Sequence, residues 1–277
     1  MSETDRRNGE ESIRVERGRE VTDGLAVDTY RGEGVEGAPI VVFVYGGAWE
    51  SGARGQFSRW ALDAAGRGPA SSRTESDDTA SEDFVAVELE YRLSDEATFP
   101  AQIRDVRACL SWVRENAERF GGDADRVAVV GHSAGAHLAM LAALAPENAF
   151  GGEYDPEPTV HAAVGISGPY DLRADSDEDG VVRRFLGGSE EEVPERYAAA
   201  SPVTHVAADA PSTFLLHGEA DGTVPVESSE AMAARLEETG TTTRLRTDAG
   251  ADHVYLHSSY WYPEIRESVF SWLDERL

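Results

Sequence analysis

A serine set between two glycines, in Gly131-His132-Ser133-Ala134-Gly135, is the stretch of this chain best equipped for chemistry. In front of it runs the apolar Val127-Ala128-Val129-Val130, and behind it a small-residue helical pattern begins. Gly-x-Ser-x-Gly between a strand and a helix lifts a hydroxyl above a sheet on a tight, strained turn. The flanking glycines let the two elements approach closely, and the helix N-terminus favours negative charge developing on a bound substrate. The alternative for the same residues is an ordinary Gly/Ser turn between buried elements.

A serine nucleophile needs a base, and the base needs an orienting acid. Downstream, Asp221 lies in His217-Gly218-Glu219-Ala220-Asp221-Gly222-Thr223-Val224-Pro225, and His253 in Gly250-Ala251-Asp252-His253. Ser, then Asp, then His is one of the known chain orders of a catalytic triad. Glu219 is the nearest rival for the acid, and Asp221 could instead cap the helix that follows. His257, His132, His137, His161, His205 and His217 compete with His253 for the base. An oxyanion also needs backbone N–H donors. Ala134, next to the nucleophile, is one candidate, and the bare Gly46-Gly47-Ala48 loop supplies the others unless it is a simple turn.

Those residues need elements to hold them. Strand patterns run over Leu25–Tyr30, Ile40–Tyr45, Phe84–Tyr91, Val127–Val130, Val160–Ile166, Thr213–Gly218 and Thr242–Thr247. Helical spacing runs over Gln56–Ala65, Ala101–Phe120, Ala134–Ala145, Val226–Glu238 and Glu264–Leu273. Alternating strands and helices predict one α/β domain over 1–277, a mostly parallel sheet with helices on both faces. Tyr45-Gly46-Gly47, Ser133, Ser167-Gly168 and His217-Gly218 all fall at carboxyl ends of strands, where such sheets bind ligands. Residues 1–20 read as a frayed N-terminal segment, 66–83 as an acidic flexible insertion and 173–210 as a small cap.

Composition narrows the partners. With 25 basic and 52 acidic residues the net charge is −27, and every basic residue is Arg. Such a field repels nucleic acid and anionic membranes. It also destabilises the compact state until salt screens it, which resembles proteins adapted to molar salt and predicts stability rising with KCl or NaCl. A merely acidic protein is the alternative. No apolar run approaches a membrane span, and no apolar stretch follows the charged N-terminal residues. The single Cys109, on an apolar helical face, excludes an internal disulfide framework and a multi-cysteine metal site. Together these readings place the protein in the cytoplasm, with no metal or cofactor, and leave a homodimer open.

Tyr45-Gly46-Gly47-Ala48-Trp49, Tyr91-Arg92-Leu93-Ser94, Phe99-Pro100-Ala101-Gln102-Ile103-Arg104-Asp105-Val106, Gly131-His132-Ser133-Ala134-Gly135, His217-Gly218-x-x-Asp221-x-x-Val224-Pro225 and Asp252-His253 occur here in a telling order. In these stretches the chain resembles the α/β-hydrolase esterase/lipase superfamily. The nearest group comprises hormone-sensitive-lipase-like, feruloyl/acetylxylan-esterase-like and kynurenine-formamidase-like proteins. The resemblance implies Ser133 as nucleophile, His253 as base, Asp221 as orienter, and oxyanion donors from Gly47, Ala48 and Ala134. It makes Asp105 a structural residue near the active-site loops. That family usually carries His at the position of Tyr45, where the side chain orders the oxyanion loop; a tyrosine there leaves the backbone donors in place, with activity expected at reduced rate.

The function expected on these grounds is ester hydrolysis through an acyl-enzyme, on a small-molecule ester. Trp49 and Phe99, with the cap, either form an apolar substrate pocket or belong to the core. Hydrolysis of an aryl formamide such as N-formylkynurenine, or of a peptide, would use the same triad. A hydrolase-fold binding protein without turnover is the remaining reading.

Overall fold

The structure is a computed structural model, which describes residues 12–22, 24–66, 83–151, 160–173 and 180–277. Its centre is an eight-stranded sheet: β1 (Ile13–Thr22), β2 (Leu25–Gly32), β3 (Ala38–Val44), β4 (Val85–Leu89), β5 (Gly122–His132), β6 (Ala162–Ile166), β7 (Ser212–Gly218) and β8 (Thr243–Asp248). They lie in the order β1-β2-β4-β3-β5-β6-β7-β8. All pairings from β4 to β8 are parallel, and β2 runs antiparallel to both its neighbours.

The helices are α1 (Ser58–Ala65), α2 (Ala101–Asn116), α3 (Ala134–Leu144), α4 (Val181–Leu186), α5 (Pro194–Ala200), α6 (Val226–Glu238) and α7 (Tyr262–Asp274). The alternation of strand side chains builds two cores. Ile40, Val42, Val44, Val127 and Val129 pack with α2, α3 and α6, while Val41, Phe43, Ala128 and Val130 pack with α1 and α7. Helix α3 is apolar all round and buried along almost its whole length, the mark of a central helix.

One expectation changes. The segment expected to fray is strand β1 from Ile13 onward, forming a hairpin with β2 in which Thr22 pairs with Leu25. None of its residues is fully buried, so pairing rather than burial holds it, and apolar alternation could not reveal it. The Gly18 amide donates to Asp28 Oδ1 at 2.7 Å, and Arg17 reaches the same carboxylate. The insertion expected at 66–83 lies, over 67–82, outside the described residues. Of the region expected to cap the strand ends, 174–179 also lies outside them; the rest is α4, α5 and a 3-10 turn at Pro202–His205. Among the described residues no helix is long and apolar enough to cross a membrane.

Candidate active site

Ser133 sits between β5 and α3 with φ 54° and ψ −123°, a conformation that L-residues rarely adopt. Tight packing enforces it. A Cβ on Gly131 would meet Gly135 O at 2.2 Å, and one on Gly135 would meet Val44 O at 2.1 Å. The Ser133 amide donates to Ile166 O at 2.9 Å, tying the turn to β6.

The loops after β7 and β8 bring the other two side chains to it. A Cβ on Gly218 would meet Ala251 O at 2.3 Å, so its absence lets those loops touch. His253 Nε2 lies 2.9 Å from Ser133 Oγ, and His253 Nδ1 lies 2.7 Å from Asp221 Oδ2. Asp221 Oδ1 accepts the amides of Thr223 and Val224 at 2.8 and 2.9 Å. It does not cap α6, whose N-cap is Pro225. Burial pushes the Asp221 carboxyl up, but hydrogen bonds from His217, His253, Val224 and Thr223 overcome it and hold the group far below the usual range. This geometry keeps an anion facing one imidazole nitrogen and a hydroxyl facing the other.

The rival residues have other occupations. Glu219 accepts the Thr247 hydroxyl at 2.9 Å. His161 Nδ1 accepts the Val127 amide, and His205 Nε2 donates to Ala199 O. His257 ends a 3-10 turn, Tyr255–His257, where burial lowers its pKa. His137 accepts Trp49 Nε1–H on Nδ1 at 3.2 Å and donates from Nε2 to Ala200 O at 2.6 Å. His132 donates from Nε2 to the carbonyl of His253 at 2.8 Å, pinning the His253 main chain to the Ser133 turn. Burial pushes both His132 and His137 down to about 3, for His132 with help from the neighbouring His253.

The loop after β3 carries the bare amides. Among the described residues no hydrogen bond takes up the N–H of Gly47, Ala48 or Ala134, whereas the Gly46 amide donates to Gln56 Oε1 at 2.8 Å. Tyr45 and Tyr91 lock this loop reciprocally. Each hydroxyl donates to the other's carbonyl at 3.0 Å, and the rings stack 4.4 Å apart. Burial pushes the Tyr45 hydroxyl up to about 12, so it stays a donor. Asp105 braces the same region from α2: it accepts the Arg92 amide at 3.0 Å and two guanidinium bonds at 2.8 and 2.7 Å.

Trp49 and Phe99 are buried with the core, 3% and 5% exposed. Trp49 stacks on Phe185 of α4 with ring centroids 4.4 Å apart, and Phe99 meets the same ring edge-on. An ion pair joins Arg184 to Glu50 beside them. Helix α4 is thus fastened to the loop that carries the free amides.

The BD-FAE family profile matches residues 27–236. The chain belongs to the BD-FAE family. Ser133 and Asp221 fall inside the matched segment and His253 beyond it. The chain is 35% identical to Esterase LipQ of Mycobacterium tuberculosis over 214 residues, covering 74% of this chain and 47% of LipQ. It is 30% identical to the isoprenylcysteine alpha-carbonyl methylesterase ICME of Arabidopsis thaliana, covering 79% of this chain and 51% of ICME. It spans about half the length of the curated relatives it matches. In three dimensions it resembles Thermogutta terrifontis esterase 2 phosphoramylated by tabun, with 25% identity, a TM-score of 0.76, and coverage of 95% of this chain and 94% of that one. The fold is the α/β-hydrolase fold.

The hydrogen bonds of His132 and His217 and the Tyr45–Tyr91 lock were not anticipated from sequence. A histidine at the end of an otherwise apolar strand, as in Phe214-Leu215-Leu216-His217, is the signal that could have pointed to one of them.

Proposed function

We propose that this protein is a serine hydrolase that cleaves carboxylic esters through an acyl-enzyme. The observation that carries this reading is the continuous hydrogen-bonded line Ser133 Oγ, His253, Asp221 Oδ2, with its serine on a strained strand-to-helix turn. Names of relatives such as LipQ and of the Thermogutta esterase support the substrate class.

In this reading Ser133 Oγ attacks the ester carbonyl carbon while His253 Nε2 takes the hydroxyl proton. The carbonyl oxygen becomes an oxyanion held by the amides of Gly47, Ala48 and Ala134. His253 returns the proton to the leaving alcohol as the carbon–oxygen bond breaks. Water then attacks the acyl-enzyme by the same route, giving the acid and restoring Ser133. Asp221 keeps the Nδ1 proton in place and balances the imidazolium.

The test is hydrolysis of p-nitrophenyl acetate and butyrate at high salt by the wild type and Ser133→Ala. The expected result is a wild-type rate that falls by about three orders of magnitude or more in the variant. Equal rates would overturn the reading in favour of a binding protein. N-formylkynurenine, assayed beside the esters, would reassign the substrate to formamides if it turned over faster.

A further inference from the structure

We infer that His217 is a positioning residue of the active site, a second imidazole that holds Asp221 for His253. This rests on the triad reading above. His217 lies at the end of β7, and both its side chain and that of Asp221 are 0% exposed. Its Nε2 is 3.0 Å from Val224 O and 3.2 Å from Asp221 Oδ2. A carbonyl only accepts, so Nε2 carries a proton; it is bonded to Val224 O, and Asp221 Oδ2 stands 3.2 Å from the same nitrogen. On the far side Nδ1 shares a 2.7 Å hydrogen bond with Ser229 Oγ of α6, which fixes the ring.

The consequence lies in which oxygen is touched. Oδ1 is committed to the amides of Thr223 and Val224, while Oδ2 meets both His253 Nδ1 and His217 Nε2. Four donors from three directions leave the carboxylate no freedom to rotate. The His217 N–H also draws charge from the very oxygen that faces His253 Nδ1.

Other groups facing this pair are engaged differently. From the nucleophile turn comes His132, its ring 4.9 Å from that of His253 and its Nε2–H on the His253 carbonyl. His257 meets the His132 ring at 6.0 Å, and Tyr255 of the same turn lies within electrostatic reach of Asp221. Glu219 is bonded to Thr247, Asp248 to Arg246, and Asp252 to the Val254 amide. Among these neighbours, only His217 donates a side-chain proton to Asp221 besides His253.

The experiment measures kcat, KM and the pH profile of ester hydrolysis for wild type, His217→Gln, His217→Leu, Ser229→Ala and Ser133→Ala. Removal of the donor in His217→Leu should lower kcat by about 10- to 100-fold at nearly constant KM. The acid limb of kcat/KM should move up by about half a pH unit, because the carboxylate facing the imidazole has lost a neighbouring N–H. His217→Gln, whose amide N–H can reach Oδ2, should recover most of both, and Ser229→Ala, which only frees the ring, should fall between. Should His217→Leu not fold, Gln and Ser229→Ala decide alone: an acid limb and kcat equal to wild type in both would overturn the inference. Equal losses in Leu and Gln without a shifted limb would also overturn it, reducing His217 to packing. Loss of activity in Ser133→Ala beside unaltered His217 variants would sink this inference and leave the triad standing. Activity retained in Ser133→Ala would sink the triad itself.

Discussion

Tyr45 stands where the superfamily that the chain resembles usually carries His, and it holds the loop after β3 through a tyrosine partner. Its hydroxyl and that of Tyr91 cross-link two loops through each other's carbonyls. Tyr45→Phe should therefore cost about 1 kcal/mol of stability and lower kcat several-fold, with Tyr91→Phe giving a similar loss. The double variant should lose less than the sum, because the two bonds hold one interface; thermal melts and p-nitrophenyl ester kinetics on all three variants check this. Two other residues set an acid limit. His132 and His137 titrate at about 3 in the folded protein against 6.5 unperturbed. Between those values the unfolded chain binds more protons than the native one, so stability must fall as pH drops from 6.5 towards 3. Each histidine contributes a slope of roughly 1.4 kcal/mol per pH unit. Denaturant midpoints at pH 7 and pH 5 should show the loss, and His137→Gln should remove part of it. Ser133, Asp221 and His253 were legible one by one, because each follows a strand on a loop. The hydrogen bonds of His132, His217 and Tyr91 were not, since they depend on which strands lie side by side.

Elements were legible where their own residues carry a period. Helix α6 has the bounds its apolar spacing gives, and the strands from β2 to β8 agree within a few residues, except that β5 already begins at Gly122, ahead of its apolar run at Val127. Strand β1 was not, because its residues are charged on both faces and it is held from one side by β2. Trp49 and Phe99 illustrate a different gap: whether an aromatic lines a pocket or fills a core depends on what a distant segment lays over it, here Phe185. The close approach of α3 to β3 is the element-level feature that the site depends on. An added methyl at Gly135 would lie 2.1 Å from Val44 O and 2.4 Å from Tyr45 O. Backbone sits on the other side and cannot swing away. Gly135→Ala should therefore separate helix and strand, lowering stability by about 3 kcal/mol or more and kcat with it. Circular-dichroism melts beside ester assays would measure both, and a variant as stable and active as wild type would contradict the packing described.

At the scale of the whole molecule, the net charge of −27 remains the dominant quantity. Arginines meet part of it locally, at Arg92–Asp105, Arg246–Asp248 and Arg266–Asp63, but acidic side chains outnumber basic ones by 52 to 25. Screening should therefore stabilise the fold, with Tm rising by about 5 °C or more between roughly 0.1 and 2 M KCl. A flat or falling Tm in the same series would remove salt adaptation from the account. Over the same sheet lies a second tension. Ala48, Trp49, Ser133 and Ser167, all non-glycine, hold φ between 52° and 57° at the carboxyl ends of β3, β5 and β6. The rim that carries the candidate site is thus wound against its own backbone preference, at a cost on the order of 1 kcal/mol at each position. Ser133→Gly should release one such coil: an inert protein that melts later than the working one, with differential scanning calorimetry reading the gain. Durability and turnover would then be rivals at a single alpha carbon.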